Sequence, residues 1–253
     1  ELDHLIEHSK AITAKKVARI NDIRQRLSTP HLTDRQRYEI CMQLYNEYEA
    51  FRFDSALVYA NRTILYAKRM RNEKYLAEAQ LKKVHVHTLA AFFVKSRDLL
   101  DSIKVSTLDA QLTQAFNDEW YLLMSLLAEY TAGTQLHASY ESRVEYYRRL
   151  ILASPYKDTY AYVRAEMTEL SERGHTEKAI GMLENYLKRW RRTNHEYAMV
   201  CFDLAELYGK LGNSTKRLYY LVQSAISDVY SSSKENNSLR LLAGELFDQG
   251  DVE

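Results

Sequence analysis

His4, Glu7 and His8 place two imidazoles and a carboxylate within one helical turn, spelling the H-x-x-E-H pattern that one class of zinc peptidases uses. On a helix the two histidines share a face and Glu7 lies close to both, so the spacing suits a metal. Those enzymes set the pattern in a mixed α/β domain with a further acidic ligand, and nothing in this chain reads as a sheet. At the first turns of a helix the three side chains read as a solvated polar face. No metal site is therefore expected, and zinc is expected neither to bind one-to-one nor to be needed for folding. His85 and His87, two apart on a helix, point to nearly opposite sides and cannot share a metal. Lys188-Arg189-Trp190-Arg191-Arg192 surrounds an aromatic with cations, a composition that suits phosphates or nucleic acid. The run reads instead as the last turn of a helix, where cations complement the dipole, with Trp190 continuing the apolar stripe of Ile180, Leu183 and Leu187. Cys41 and Cys201 each sit on a helix stripe, in units far apart, and read as small apolar fillers rather than a disulfide. No G-x-G-x-x-G, P-loop, G-x-S-x-G or paired-cysteine motif occurs, so nucleotide, hydrolase and zinc-finger chemistry have no support. The chain is expected not to be an enzyme, with no catalytic residues and no cofactor.

The elements that would position any site are written in three glycines. Gly174, Gly212 and Gly250 stand 38 residues apart, twice over. Four residues before them lie Leu170, Tyr208 and Leu246; seven before, Met167, Ala205 and Ala243; eleven before, Val163, Cys201 and Leu239. Those offsets mark one face of a helix that ends in a residue free to adopt φ > 0. Beyond the turn, Ile180/Leu218, Leu183/Leu221 and Leu187/Ala225 give a second helix its own stripe. A repeated helix–turn–helix of this length predicts an all-α, tetratricopeptide-like right-handed solenoid of about twelve helices. Only 7 Gly and 2 Pro punctuate 253 residues that are 46% apolar, which fits helices and argues against sheet or disorder. The +1 net charge, from 35 basic and 34 acidic residues, argues against bulk nucleic-acid binding. No apolar run is long enough to cross a membrane.

One domain is expected over 1–253: an N-terminal helix at 1–27, degenerate hairpins over 33–155 and register repeats over 156–253. Pro30 ends the first helix. Thr33 with Gln36, and Ser106 with Asp109, carry capping patterns. Helices are predicted from about Lys74 to Ala91, from about Lys95 to about Ile103 and up to roughly Thr131, with a return helix that follows Gly133 and ends before Pro155, and a last one from about Ser233. Gly250 closes that last helix without its partner, so the chain is expected to be cut from a longer protein inside its final hairpin.

Tyrosine is abundant: 20 Tyr against 7 Phe and 2 Trp. In this architecture the first helix of each hairpin lines the concave face, at positions thirteen, ten, six and three before the turn glycine. That register selects Arg164, Thr168 and Ser171, then Phe202 and Glu206, then Asn237, Arg240 and Phe247. Aligning Ala56 with Ala179 extends it to Tyr38, Cys41, Tyr45 and Tyr48. The strip is aromatic and charged, suited to a peptide or to a saccharide whose ring faces stack while its hydroxyls meet polar groups.

Two segments add a resemblance: Ser224-Ala225-Ile226-Ser227-Asp228 with Lys234-Glu235-Asn236 and Leu241-Leu242-Ala243, and Phe51-Arg52-Phe53-Asp54-Ser55-Ala56-Leu57-Val58-Tyr59. The chain resembles, over essentially its whole length, the extracytoplasmic tetratricopeptide-like domain of membrane-spanning bacterial transcription regulators related to starch-utilisation regulators. The resemblance implies a signal peptide before Glu1, and beyond Glu253 a transmembrane helix, a coiled coil and a cytoplasmic DNA-binding segment. It implies a periplasmic sensor or interaction domain, touching the membrane only through segments outside this chain and making no nucleic-acid contact of its own. Its expected partners are a saccharide, a protein or peptide, or a second copy of itself. The alternative is a scaffold solenoid that senses no small molecule. Ser224, Asp228, Lys234, Glu235 and Asn236 are expected to serve capping and inter-repeat hydrogen bonds before ligand binding.

Overall fold

The computed structural model describes residues 1–233 and 237–248, the latter without the side chains of Leu246 and Asp248. Lys234, Glu235, Asn236 and Gly250, which carried part of the sequence reading, lie outside the described residues. Among the described residues the regular structure is helical, with thirteen α-helices and a 3-10 turn at Val105–Thr107. Backbone contacts divide the chain into two compact units, Ile20–Tyr162 and the pair of segments Glu1–Arg19 and Val163–Glu253.

The first unit is built on α3 (Asp34–Tyr48), α4 (Phe53–Arg69), α5 (Glu73–Leu89), α6 (Phe93–Ser102), α7 (Ala110–Tyr130) and α8 (His137–Leu152). Each packs on the next, and α5 also packs directly on α7. The starts of the inner helices are chemically specified. Thr33 and Gln36 form a complete capping box on α3, Asn72 accepts from the Tyr75 N–H on α5, and Asp109 accepts from the Leu112 N–H on α7. Ser106, expected to share in that last cap, sits in the 3-10 turn instead; Asp109 alone does the capping. Small residues of α4, Ala56 and Ala60, let its backbone close on the fully buried Leu44 and Tyr45 of α3. A second cluster joins Leu81 and Val84 of α5 to Leu123 and Met124 of α7. There Trp120 stacks on Tyr147, ring centres 5.5 Å apart.

The other unit contains α10 (Thr176–Leu187), α11 (His195–Lys210), α12 (Ser214–Ser231) and α13 (Asn237–Asp248), each packed on its neighbour. α9 (Tyr160–Glu172) crosses the boundary between the units. The single N-terminal helix expected over 1–27 is broken at His8 into α1 (Leu2–Glu7) and α2 (Ser9–Arg26). The break lets α1 pack on α12 and bury Leu5. Lys16 donates to the Ser231 carbonyl at 3.0 Å, and Arg192 lies 3.3 Å from Glu1. The basic run therefore differs from its sequence reading: α10 ends at Leu187 with Lys188 as its C-cap, and Arg189 to Arg192 lie past the helix.

Five helix ends close in one way. The N–H groups of Asn72, Phe92, His175, Asn213 and Ser233 donate to the carbonyls of Ala67, His87, Leu170, Tyr208 and Asp228, five residues back. This is a Schellman closure, which needs a left-handed residue just before the donor. Gly174 and Gly212 supply it with φ of +79° and +70°, as the 38-residue register requires. Arg71, Ala91 and Ser232 supply it at φ of 51°, 59° and 54°, without the freedom of glycine. An L side chain in that region costs roughly 1–2 kcal/mol. Ala91→Gly is accordingly expected to stabilise the chain by about 1 kcal/mol and Gly174→Ala to destabilise it by about as much. A methyl at Gly174 would meet nothing within 4 Å, so backbone strain alone sets that cost. Urea midpoints for the two variants moving in the same direction would refute this assignment.

Candidate functional site

Inner helices α5 and α7 enclose a cleft of about 210 Å³. Lys74, Glu78, Leu81 and Lys82 line it from α5; Gln111, Leu112, Ala115 and Glu119 line it from α7. Spacings of three and four put each set on one face of its helix. Leu81, Leu112 and Ala115 make an apolar floor; the remaining lining residues are charged or amide. Lys74 bridges to Asp109 at 2.7 Å, tying the start of α5 to the cap of α7.

Tyrosines of α3 hold one carboxylate of the cleft, Glu78, and a second, Glu49, outside its lining. The Tyr38 hydroxyl donates to Glu78 at 2.7 Å. The Tyr45 hydroxyl donates to Glu49, the C-cap of α3, at 2.7 Å and also approaches the Lys82 carbonyl at 3.1 Å. Burial, then the neighbouring carboxylate, pushes both phenols well above their ordinary range, so they stay protonated donors. The Lys82 ammonium lies 3.8 Å from Glu49 and 5.4 Å from the centre of the Tyr45 ring.

His85 stands between two acids. Its Nδ1 is 3.1 and 3.3 Å from the two oxygens of Glu119, and its Nε2 is 3.8 Å from Glu49. Burial pulls the imidazole's pKa down, but the Glu119 charge and hydrogen bond, joined by the Glu49 charge, outweigh burial and the opposing Lys82. The net result is a pKa of about 9, an imidazolium at neutral pH. Next to Glu119, Asp118 is pushed up to about 7 by burial and by Glu119's charge, against a 2.8 Å hydrogen bond from Gln114. His87 points away, edge-on to Phe92 at 6.0 Å, with its pKa lowered by burial and by Lys83 and Lys95.

The residues selected from the sequence fall into two sets. Tyr38, Tyr45 and Tyr48 belong to the unit that holds the cleft, but their rings are turned into the packing, at 3%, 0% and 8% exposure. Tyr48 stacks on Tyr59 at 5.6 Å. Arg164, Thr168, Phe202, Glu206, Asn237, Arg240 and Phe247 all belong to the other unit. There Thr168 turns its hydroxyl back onto the Arg164 carbonyl at 2.9 Å, and Glu206 lies 3.8 Å from Arg217. Phe202 is half-buried, whereas Asn237, Arg240 and Phe247 are exposed, Phe247 at 69%. Burial raises the thiols of Cys41 and Cys201 to about 11 and about 12, so both are protonated fillers. His4, Glu7 and His8 do converge, their ligand atoms within 4.8 Å of one another, but all three are exposed and His8 Nδ1 lies 2.7 Å from the His4 carbonyl.

Glu78, Leu81 and His85 were missed because their hairpin turns on Ala91 rather than on glycine. Counting thirteen, ten and six back from Ala91 selects those three residues. The Ser224–Asp228 segment, in contrast, lies inside the packing of α11, α12 and α13. Ser224 donates to the Ala198 carbonyl at 2.8 Å, Ser227 donates to the Asn194 carbonyl at 2.9 Å, and Ser238 lies 2.7 Å from Ser224 and 3.2 Å from Asp228.

Helical hairpins in a sequential stack, with a cleft between neighbouring first helices, define a tetratricopeptide-type repeat domain. The chain matches the family described as SusR N-terminal TPR domain over residues 6–253 and belongs to it. It is thus the TPR domain of a SusR-like regulator, a non-catalytic family. No curated protein matches it. Among the described residues no helix is long and apolar enough to cross a membrane.

Proposed function

We propose that this chain is the periplasmic sensing domain of a membrane-anchored transcription regulator, and that it binds a small saccharide in the cleft between α5 and α7. The lining of the cleft carries this reading. A sugar hydroxyl both donates and accepts; Glu78 and Glu119 offer acceptors, and Lys82 and Gln111 offer donors. The Leu81–Leu112–Ala115 floor suits the C–H face of a sugar ring. The volume is below the roughly 300–1,000 Å³ of drug-sized pockets, enough for one ring of a longer saccharide. Among the described residues no aromatic lines the cleft, so recognition here runs through hydrogen bonds rather than stacking. Tyr38 serves it indirectly, through the Glu78 carboxylate that it holds. The exposed Arg240 and Phe247 of α13 are proposed contacts for a protein partner or a second copy.

A thermal-shift screen with gluco-oligosaccharides and short peptides tests this. A ligand at ~100 times its Kd stabilises the fold by about 2.7 kcal/mol. The shift is expected to vanish in Lys82→Ala and Glu78→Gln. Stabilisation that survives both substitutions puts the site elsewhere, and a screen with no shift favours the scaffold function.

A further inference from the structure

We propose that His85 is the positioning residue of the cleft, its bound proton holding Glu119 of α7 and Glu49 of α3 to α5 and so setting where the α7 wall stands. This rests on the cleft being the ligand site.

The geometry supports that role on three sides. Glu119 lines the cleft, and both of its oxygens lie within 3.3 Å of His85 Nδ1. Glu49 sits 3.8 Å from the other ring nitrogen. The charged groups that act on the imidazole are Glu49 at the C-cap of α3, Lys82 on α5 itself and Glu119 from α7. As an imidazolium, His85 presents an N–H to each carboxylate. As a neutral ring it keeps one N–H and turns a lone pair toward the other acid. Two half-buried carboxylates would then face each other with Lys82 as their near cation, and their repulsion in a medium less polar than water drives them apart. Glu119 loses its fixed direction, and with it the preorganised wall of the cleft. By linkage, a ligand that needs Glu119 in place must also raise the proton affinity of His85.

The test begins on the ligand-free domain. The His85 ring is titrated by NMR from pH 6.5 to 10.5 while the methyl groups of Leu81 and Leu112 on the cleft floor are followed. Those methyls are expected to move with the His85 midpoint, near pH 9. Glu119→Gln is expected to lower the midpoint by at least one unit and carry the methyl transition with it. His85→Gln, which keeps a donor but cannot titrate, is expected to flatten the methyl profile. Methyls that ignore the His85 midpoint, or a midpoint unmoved by Glu119→Gln, overturn the proposal. With maltotriose as probe, affinity is expected to weaken about tenfold between pH 7 and 10 in the native chain but not in His85→Gln. Coupled methyls with no maltotriose binding at any pH uphold the positioning role and refute the saccharide reading. Maltotriose binding with no difference between the two proteins refutes the positioning role.

Discussion

Asp228→Ala is expected to lower the unfolding free energy by about 2–4 kcal/mol, the cost of breaking a buried charged hydrogen-bond network from one side. Asp228 is 6% exposed near the end of α12, where it accepts from Ser238 of α13 and lies 4.0 Å from His195 of α11. Removing the carboxylate takes an acceptor from Ser238 and an acidic neighbour from His195 inside the packing of these three helices. Ser224→Ala removes a neutral hydroxyl from the same network and is expected to cost about 1 kcal/mol. The double variant should cost less than the sum, since both act through Ser238. Urea denaturation of the three variants gives the numbers, and amide exchange across α13 shows whether the last helix loosens first. An Asp228→Ala protein within 0.5 kcal/mol of the native would refute a structural role and leave these polar groups for a ligand.

Between pH 6.5 and 9.5 the domain is expected to lose about 2–3 kcal/mol of stability, most of it through His85. Its proton is held to about pH 9 in the folded chain against an ordinary 6.5. A group that binds its proton more tightly when folded adds stability that is complete below its unfolded pKa. That stability is lost as pH rises through the folded pKa. Asp118 has the same sign: raised from 3.8 to about 7, its contribution is present at low pH and lost as pH rises through about 7. Both groups therefore make the chain less stable from neutrality into alkali. Glu119→Gln removes the main support of the His85 proton and the repulsion on Asp118, while burial of Asp118 and the Glu49 charge on His85 remain, so the variant should lose clearly less stability than the native chain over this range. Urea unfolding at half-unit pH steps measures both curves. A native curve that stays level or rises from pH 7 to 9 would contradict the placement of these charges.

What could be read from residue order was local. Helix periodicity, the capping box at Thr33 and Gln36, and the glycines at 174 and 212 depend on residues within a turn or two of each other, so the all-helical hairpin repeat was legible. So was the inward role of Ser224 and Asp228, because small polar residues in an apolar stripe must find partners when buried. Where a turn used Ala91 or Arg71 in the left-handed conformation the register became invisible, since glycine was its marker.

The remainder was decided by tertiary contact. A tyrosine on an inner helix can line a groove or fill the space behind it; Tyr38 and Tyr45 fill it because their hydroxyls find Glu78 and Glu49. The pairing of His85 with Glu119 spans 34 residues, and that of Lys16 with Ser231 spans 215. No local pattern encodes such pairs. The first exists because neighbouring hairpins stack to bury their apolar stripes, the second because the N-terminal segment folds onto α12, and both bring side chains of otherwise ordinary helix faces within bonding distance.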